Sequence, residues 1–384
     1  MSPSLRTDPR AHRKPAPRAK HAAAALVLSQ AVTLSLAGPL TVAVVGLTAS
    51  GTGFAAAAAK SKRADDAKPY GHREDAMQLA AALAQKFGLD EHWSQAQLAQ
   101  ARYLPTVARL MMPPPAGTAK NWRAYRGRFV EPARIAAGLK FWDEHHRWLD
   151  AAETRYGVPV SIIVGIIGVE TYYGRITGNF RVLDALATLS LDFPRARRDR
   201  SEYFRDELGQ FLKLAHAQSL ETNKVLGSYA GAMGLGQFMP GSINRHAVDF
   251  DGDGHIDMVG STADVIGSVA NYLANHGWQK GMPTHHEVKP PVDTRERATL
   301  LAPDILPSFS AQQMTDLGAE LSPAGQAHVG PMALVELQNG EAAPSFVAGT
   351  QNFYAVTRYN WSSYYALAVI ELGEAVAQAR RQPR

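Results

Sequence analysis

The sequence predicts a mainly α-helical protein of the α+β class, in which helices build the core and a small β-rich insertion divides them. Three observations support this. Apolar residues recur at i, i+3, i+4 spacing from about Arg73, with Met77, Leu79, Ala80, Leu83 and Phe87 on one face. An almost unbroken aliphatic run, Val158 to Val169, has the composition of a helix buried all round. From Pro283 to about Ser345 the chain is instead Pro-rich, and its short run Ala333 to Gln338 leads into Asn339-Gly340, a hairpin signal. At 384 residues the chain is long enough for a large core and two or three domains.

The first element is a leader. Arg6, Arg10, Arg13, Lys14, Arg18 and Lys20 stand against Asp8 alone, an apolar stretch follows from about Ala22 to Thr48, and the tract Ala55 to Ala59 offers Ala-x-Ala cleavage sites. This order predicts a signal peptide over residues 1–59 and a periplasmic product. The apolar part approaches membrane-spanning length, although Gly38-Pro39 interrupts it, so an uncleaved inner-membrane anchor is the alternative. The formal charge of +5 belongs to this leader: it holds six of the 40 Lys+Arg and one of the 35 Asp+Glu, which leaves 34 of each elsewhere. A balanced remainder offers no basic surface for nucleic acid. The absence of cysteine excludes a lipoprotein, a disulfide and thiol chemistry.

Residues 60–70 have the composition of a solvated linker. The helix that starts at about Arg73 closes at Gly88, and further helix runs to a break at Met112-Pro-Pro-Pro-Ala-Gly117. Another helical stretch carries Ile135, Leu139, Trp142 and Trp148, and Gly157 and Pro159 then punctuate the entry to the aliphatic run. Beyond the insertion, helix resumes at about Ser362 and continues through Ala377. No internal repeat occurs. His285-His286 has no second ligand pair at useful spacing and reads as surface loop.

The aliphatic run ends in one carboxylate, within Gly165-Ile-Ile-Gly-Val-Glu170-Thr-Tyr-Tyr-Gly174. A carboxyl half out of water keeps its proton to higher pH, as a general acid working near neutrality must. The plainer reading is a glutamate exposed at the end of a core helix. Two more segments bear on the choice: Ser228-Tyr-Ala-Gly-Ala-Met-Gly-Leu-Gly-Gln237-Phe-Met-Pro240 and Thr357-Arg-Tyr359-Asn360-Trp-Ser-Ser-Tyr364-Tyr365. Together the three resemble the lytic murein transglycosylase B family, periplasmic enzymes that cut the glycan strands of peptidoglycan. The resemblance runs from about Gly71 to the end and is densest from Tyr125 to Trp278 and from Asn352 to Ile370.

The resemblance implies a lysozyme-like helical core. Residues 71–150 would form an N-terminal helical domain, 151–282 the catalytic core, 283–348 a small β-rich domain, and 349–384 a return to the core. It implies that Glu170 protonates the MurNAc–GlcNAc oxygen and then, as carboxylate, takes the proton of the muramyl C6 hydroxyl, which closes a 1,6-anhydro ring. Such intramolecular attack has high effective molarity, so one group can serve as acid and then base. By the same resemblance Ser228 and Gln237 hydrogen-bond the sugars, while Tyr359, Asn360 and Tyr365 orient Glu170 and support the developing charge. Tyr125 matches a further cleft tyrosine and reads equally as a packed aromatic. Asp184 and Asp192 are the nearest alternative acids, and the Val-Leu-Asp-Ala-Leu context of Asp184 suits capping.

A second chemical site lies in Asp249-Phe-Asp251-Gly-Asp253-Gly-His255-Ile-Asp257. Acids at loop positions 1, 3 and 5, glycine at 6 and an acid at 9 match an EF-hand-like calcium loop. Gly260 stands at the twelfth position, and the resemblance implies closure by Asp264 instead, one residue later than in the family pattern. The expected ligands are Asp249, Asp251, Asp253, His255 and Asp264 around a structural calcium ion in the loop 249–264, with no organic cofactor. The expected partners are peptidoglycan glycan strands, with cell-wall synthesis or division proteins as further candidates, and the protein itself is expected to be a monomer. A hydrolytic muramidase, which needs a second carboxylate opposite Glu170, and a non-catalytic peptidoglycan-binding protein are the competing functions.

Overall fold

The computed structural model describes residues 69–112, 120–195 and 198–382. The leader, residues 60–68 of the linker and the Pro-rich break at 113–117 lie outside the described residues. Before the aliphatic run come α1 (Glu74–Phe87), α2 (Glu91–Ala99), α3 (Pro105–Leu110), α4 (Trp122–Arg126) and α5 (Pro132–Tyr156). The run itself is α6 (Val160–Thr171), and β1 (Phe180–Arg181), α7 (Val182–Leu191), α8 (Ser201–Ala217), β2 (Leu226–Gly227), α9 (Pro240–His246) and α10 (Thr262–Asn275) follow. The insertion holds β3 (His285–Lys289), α11 (Thr294–Leu301), α12 (Ala311–Asp316), β4 (Glu320–Leu321), α13 (Pro323–Gln326), β5 (Ala333–Asn339) and β6 (Ala342–Gly349). The chain closes with α14 (Gln351–Tyr359) and α15 (Ser363–Arg381).

Helix α6 is the axis of the core. Every residue of it except Ser161 is buried, which its uninterrupted apolar sequence demands. Its principal neighbour is α15, and glycines make the crossing close: a Cβ on Gly165 would lie 2.2 Å from the Val369 carbonyl oxygen, and one on Gly373 would lie 2.0 Å from that of Ser161. The final helix therefore seats directly on the helix that carries Glu170, although about two hundred residues separate them in sequence. Gly157, in left-handed conformation at φ 69°, ends α5 and turns the chain into α6.

The insertion is a four-stranded antiparallel sheet in the order β4-β3-β6-β5, with the β5–β6 hairpin turning at Gly340. It has its own apolar cluster of Leu300, Ala311, Met314, Ala319, Leu321, Met332, Leu334 and Ala348. Three short helices pack with the strands, so the β-rich insertion expected from the sequence also carries helix. His285-His286 is not surface loop. It lies in β3, and His286 is buried with its Nε2 3.2 Å from His328 Nδ1, a partner 42 residues away that local spacing does not reveal.

The return to helix also comes earlier than Ser362. Helix α14 starts at Gln351, and Ser362 instead caps α15, accepting the Tyr365 N–H. Aromatic and β-branched residues give Phe353 to Tyr359 weak intrinsic helix preference, and burial of Phe353, Ala355, Val356 and Tyr359 overrides it. Among the described residues no single helix is long and apolar enough to cross a membrane.

Candidate active site

Glu170 is the penultimate residue of α6 and is 5 % exposed. Burial pushes its pKa up to about 7, against a smaller opposite pull from Tyr365, whose hydroxyl donates to Oε1 at 2.6 Å. The last turn of a helix carries partial negative charge, which also favours the neutral carboxyl. No neighbouring carboxylate contributes to the shift. Asp184 and Asp192 are occupied elsewhere: Asp184 accepts the Arg102 N–H and pairs with Arg181, while Asp192 takes Tyr70 and Arg73. Glu207, a buried acid absent from the sequence reading, accepts the Gly241 N–H at 2.8 Å.

The elements around Glu170 form a closed ring of contacts. Tyr365, at the start of α15, lies 6.3 Å from Tyr359 between ring centroids, nearly parallel at 12°. Tyr359 donates to the Gly236 carbonyl at 2.5 Å, and Thr171, next to Glu170, donates to the Leu235 carbonyl at 2.9 Å. Two consecutive carbonyls of the glycine-rich segment are thus held by the two ends that present Glu170 and Tyr365. Burial raises the pKa of both tyrosines far above the ordinary value, so they remain donors. Asn360, between them in sequence, is 2 % exposed, and among the described residues its Oδ1 has no hydrogen-bond partner. Buried polar atoms without partners are costly and concentrate where a ligand will satisfy them.

Gln237 follows the ring in left-handed conformation at φ 51°. Its Nε2 donates to the carbonyls of Thr177 and Gly234, at 3.0 and 2.9 Å, which leaves Oε1 as the atom free for a ligand. Ser228 opens the same segment, and its Oγ accepts the Ala232 N–H, so its hydroxyl hydrogen is available. Tyr125 is half-buried in an aromatic wall with Phe129 and Tyr364, at 5.1 and 5.9 Å, close enough to influence Tyr365 electrostatically. The structure thus links Glu170 through Tyr365 and Tyr359 to the glycine-rich segment that carries Ser228 and Gln237, with Tyr125 in the aromatic wall beside Tyr364.

Sequence reading assigned no role to four neighbours. Tyr272 packs its ring 5.0 Å from Tyr359, and its place at i+3 from Val269 on α10 is a signal that could have found it. Arg134 is buried, donates to the Gly168 carbonyl at 2.6 Å and lies 4.3 Å from the Tyr172 ring centre. A lone arginine near a helix start carries no mark of burial. Tyr172 and Tyr173 both hold positive φ, 53° and 56°, just after Glu170. Such strain costs on the order of 1–3 kcal/mol per residue and gathers at functional sites.

In the loop before α10, Asp249, Asp251 and Asp264 bring carboxylate oxygens within 4.8 Å of one another. Gly254 makes the sharp turn at φ 91°. Asp253 and His255 are exposed and fall outside this group, the carboxylate of Asp253 accepting the His255 N–H. Asp264 is 1 % exposed and ties both limbs of the loop, accepting the N–H groups of Phe250 and Asp257 at 2.7 Å each. Burial raises its pKa, and the Asp251 charge adds to this. Three hard oxygen donors gathered at one point fit a hard cation such as calcium.

The sequence profile of the family described as Transglycosylase SLT domain matches residues 71–374. The membrane-bound lytic murein transglycosylase B of Escherichia coli is 40 % identical over 322 residues, covering 82 % of this chain and 85 % of that protein. Among solved structures, the Escherichia coli lytic transglycosylase Slt35 in complex with bulgecin A is 40 % identical with a TM-score of 0.71, over 82 % of this chain and 96 % of that one. The same protein in complex with calcium has a TM-score of 0.69 at 39 % identity over the same shares. SltB3 of Pseudomonas aeruginosa, in complex with NAG-NAM-pentapeptide, is 30 % identical with a TM-score of 0.65 over 79 % of this chain and 80 % of that one.

Proposed function

Since the chain belongs to the transglycosylase SLT family, with a lysozyme-like fold, and is a lytic murein transglycosylase that cleaves peptidoglycan, we propose that Glu170 alone supplies the acid and then the base of its reaction. The observation that carries this is a buried carboxyl with a pKa of about 7 that receives one hydrogen bond and, among the described residues, no charge from a second acid. Tyr365 engages Oε1, so Oε2 carries the proton to the MurNAc–GlcNAc bridging oxygen. As the bond breaks, the ring carbon gains positive charge. The carboxylate left behind, its charge steadied by the Tyr365 hydroxyl, then takes the C6 hydroxyl proton, and that oxygen closes the 1,6-anhydro ring.

The other candidates hold the strand. Gln237 Oε1 accepts from a sugar hydroxyl or amide, and Ser228 donates to one. The unpaired Asn360 oxygen places partial negative charge beside the reacting sugar, and Tyr359 sets the distance between Tyr365 and the glycine-rich segment. Tyr125 offers an aromatic face to the strand. In the layout that supports the site, α1 to α4 precede a core that α5 to α10 build around α6, β3 to β6 form a small appended unit, and α14 and α15 close the core.

The acidic loop holds one structural calcium ion through Asp249, Asp251 and Asp264, with Asp253 and the His255 backbone as further oxygens. The ion's part is to neutralise clustered carboxylates; no step of the cleavage passes through it. Residues 1–59 export the chain to the periplasm, where its substrate lies.

Glu170→Gln tests the assignment. The amide keeps the shape but cannot give and retrieve a proton, so release of muropeptides from purified sacculi should vanish while the circular dichroism spectrum stays native. Release at the wild-type rate would refute the role.

A further inference from the structure

The calcium loop and the sugar site share a seam. Gly234 has φ 69°, and a Cβ there would lie 1.9 Å from the Met258 carbonyl oxygen, so the backbone of the loop lies flat against the backbone of the glycine-rich segment. The carbonyl of that same Gly234 accepts both the backbone N–H of Gln237, at 3.2 Å, and its side-chain Nε2, at 2.9 Å. On the other side of the seam, Met258 is 3 % exposed and directly follows Asp257, whose N–H is fixed by Asp264 at 2.7 Å. One short path therefore joins the carboxylate cluster to Gln237: Asp264, Asp257, Met258, Gly234. It reaches Gln237 without using the Thr171–Leu235 and Tyr359–Gly236 bonds that tie the same segment to the surroundings of Glu170.

The same segments also border one cavity. Ile256 to Val259 line a cavity of about 700 Å³ together with Thr177 and Gly234, the two carbonyl partners of Gln237. Strands and loops can yield into such a space, which makes the position of Met258 sensitive to whatever holds Asp257. A cation that offsets repulsion among Asp249, Asp251 and Asp264 holds it. Without that charge, repulsion among the three carboxylates would press apart the two limbs that Asp264 ties.

We propose that Gly234 and Met258 are positioning residues through which the acidic loop sets Gln237, so that calcium binding and glycan binding are coupled while proton transfer at Glu170 is not. This rests on the reading of Gln237 as a sugar ligand and of the loop as a calcium site. Coupling between two sites is reciprocal, so calcium should tighten glycan binding by the same factor as glycan tightens calcium binding.

The test uses the mature chain carrying Glu170→Gln, an uncleaved MurNAc–GlcNAc tetrasaccharide and isothermal calorimetry in calcium or chelator. Calcium should lower the glycan Kd about tenfold, inside the roughly 5- to 150-fold span usual for coupled sites. In the double variant with Gln237→Ala, the Kd should no longer respond to calcium. In active wild-type enzyme, chelator should raise KM about tenfold and change kcat less than about twofold, which checks the result without any variant. Equal glycan Kd in calcium and chelator, with melting still raised by calcium, would overturn the coupling and leave the catalytic reading intact. No glycan binding under either condition would overturn both.

Discussion

A carboxyl that acts as acid and then base must change protonation state within one turnover, so its pKa should sit near the working pH. Glu170, near 7, meets this through burial moderated by Tyr365. Activity should fall about tenfold per pH unit above 7, as the acid form is lost. Stability follows the same group. The folded-state pKa lies above the ordinary 4.5, so the contribution is complete below pH 4.5 and is lost as pH rises through 7. Between pH 5 and 8 wild type should lose on the order of 2–3 kcal/mol that Glu170→Gln keeps, measured as unfolding free energies in urea at both pH values.

Tyr365→Phe moves the other way on the pH axis. The lost hydrogen bond had favoured the carboxylate, so the pKa of Glu170 should climb and the alkaline limb of the rate profile should shift up by about one unit. An unmoved limb would mean that Tyr365 only packs. At this scale the sequence was readable where one residue interrupts a pattern: Glu170 ends an aliphatic run, and its burial followed from that run. The orphan oxygen of Asn360 and the buried guanidinium of Arg134 were not readable, because each is created by elements far away in sequence.

Among elements, α6 announces itself by composition, while α14 does not, because tertiary burial rather than local preference makes it helical. The acidic loop was legible as a motif. That Asp264 stands beside Asp249 and Asp251 despite the extra residue is visible only in the geometry, since α10 begins at Thr262 and places Asp264 in its first turn. An ion that binds only the folded loop raises stability with the logarithm of its free concentration. Scanning calorimetry should show a gain on the order of 1–4 kcal/mol in calcium over chelator, for ligand between a few and a thousand times its Kd. Magnesium should substitute poorly, since its strict octahedral shell suits a flexible loop badly. Identical melting in all three conditions would reduce the loop to a turn.

At the scale of the whole molecule, the site is assembled from three distant stretches: the end of α6, the glycine-rich segment and the α14–α15 junction. The insertion between β3 and β6 separates the last of these from the rest in sequence and returns the chain to it in space, since the Thr350 N–H bonds the Thr284 carbonyl at 3.0 Å. A β-rich insertion was legible from turn residues. The three helices within it were not, being too short for periodicity to register. Export belongs to this scale too: N-terminal sequencing of the protein recovered from cells should find a start near Lys60, and an intact leader in the membrane fraction would favour the anchor.

The central claim is that one carboxyl suffices because the substrate supplies its own nucleophile. Digestion of purified sacculi in H2(18O), followed by mass spectrometry of the released muropeptides, tests this directly. The account predicts 1,6-anhydro-MurNAc ends with no heavy oxygen at the cut, and no release by Glu170→Gln. Reducing ends carrying one heavy oxygen would contradict it, because water would then be the nucleophile and a second group would have to activate it.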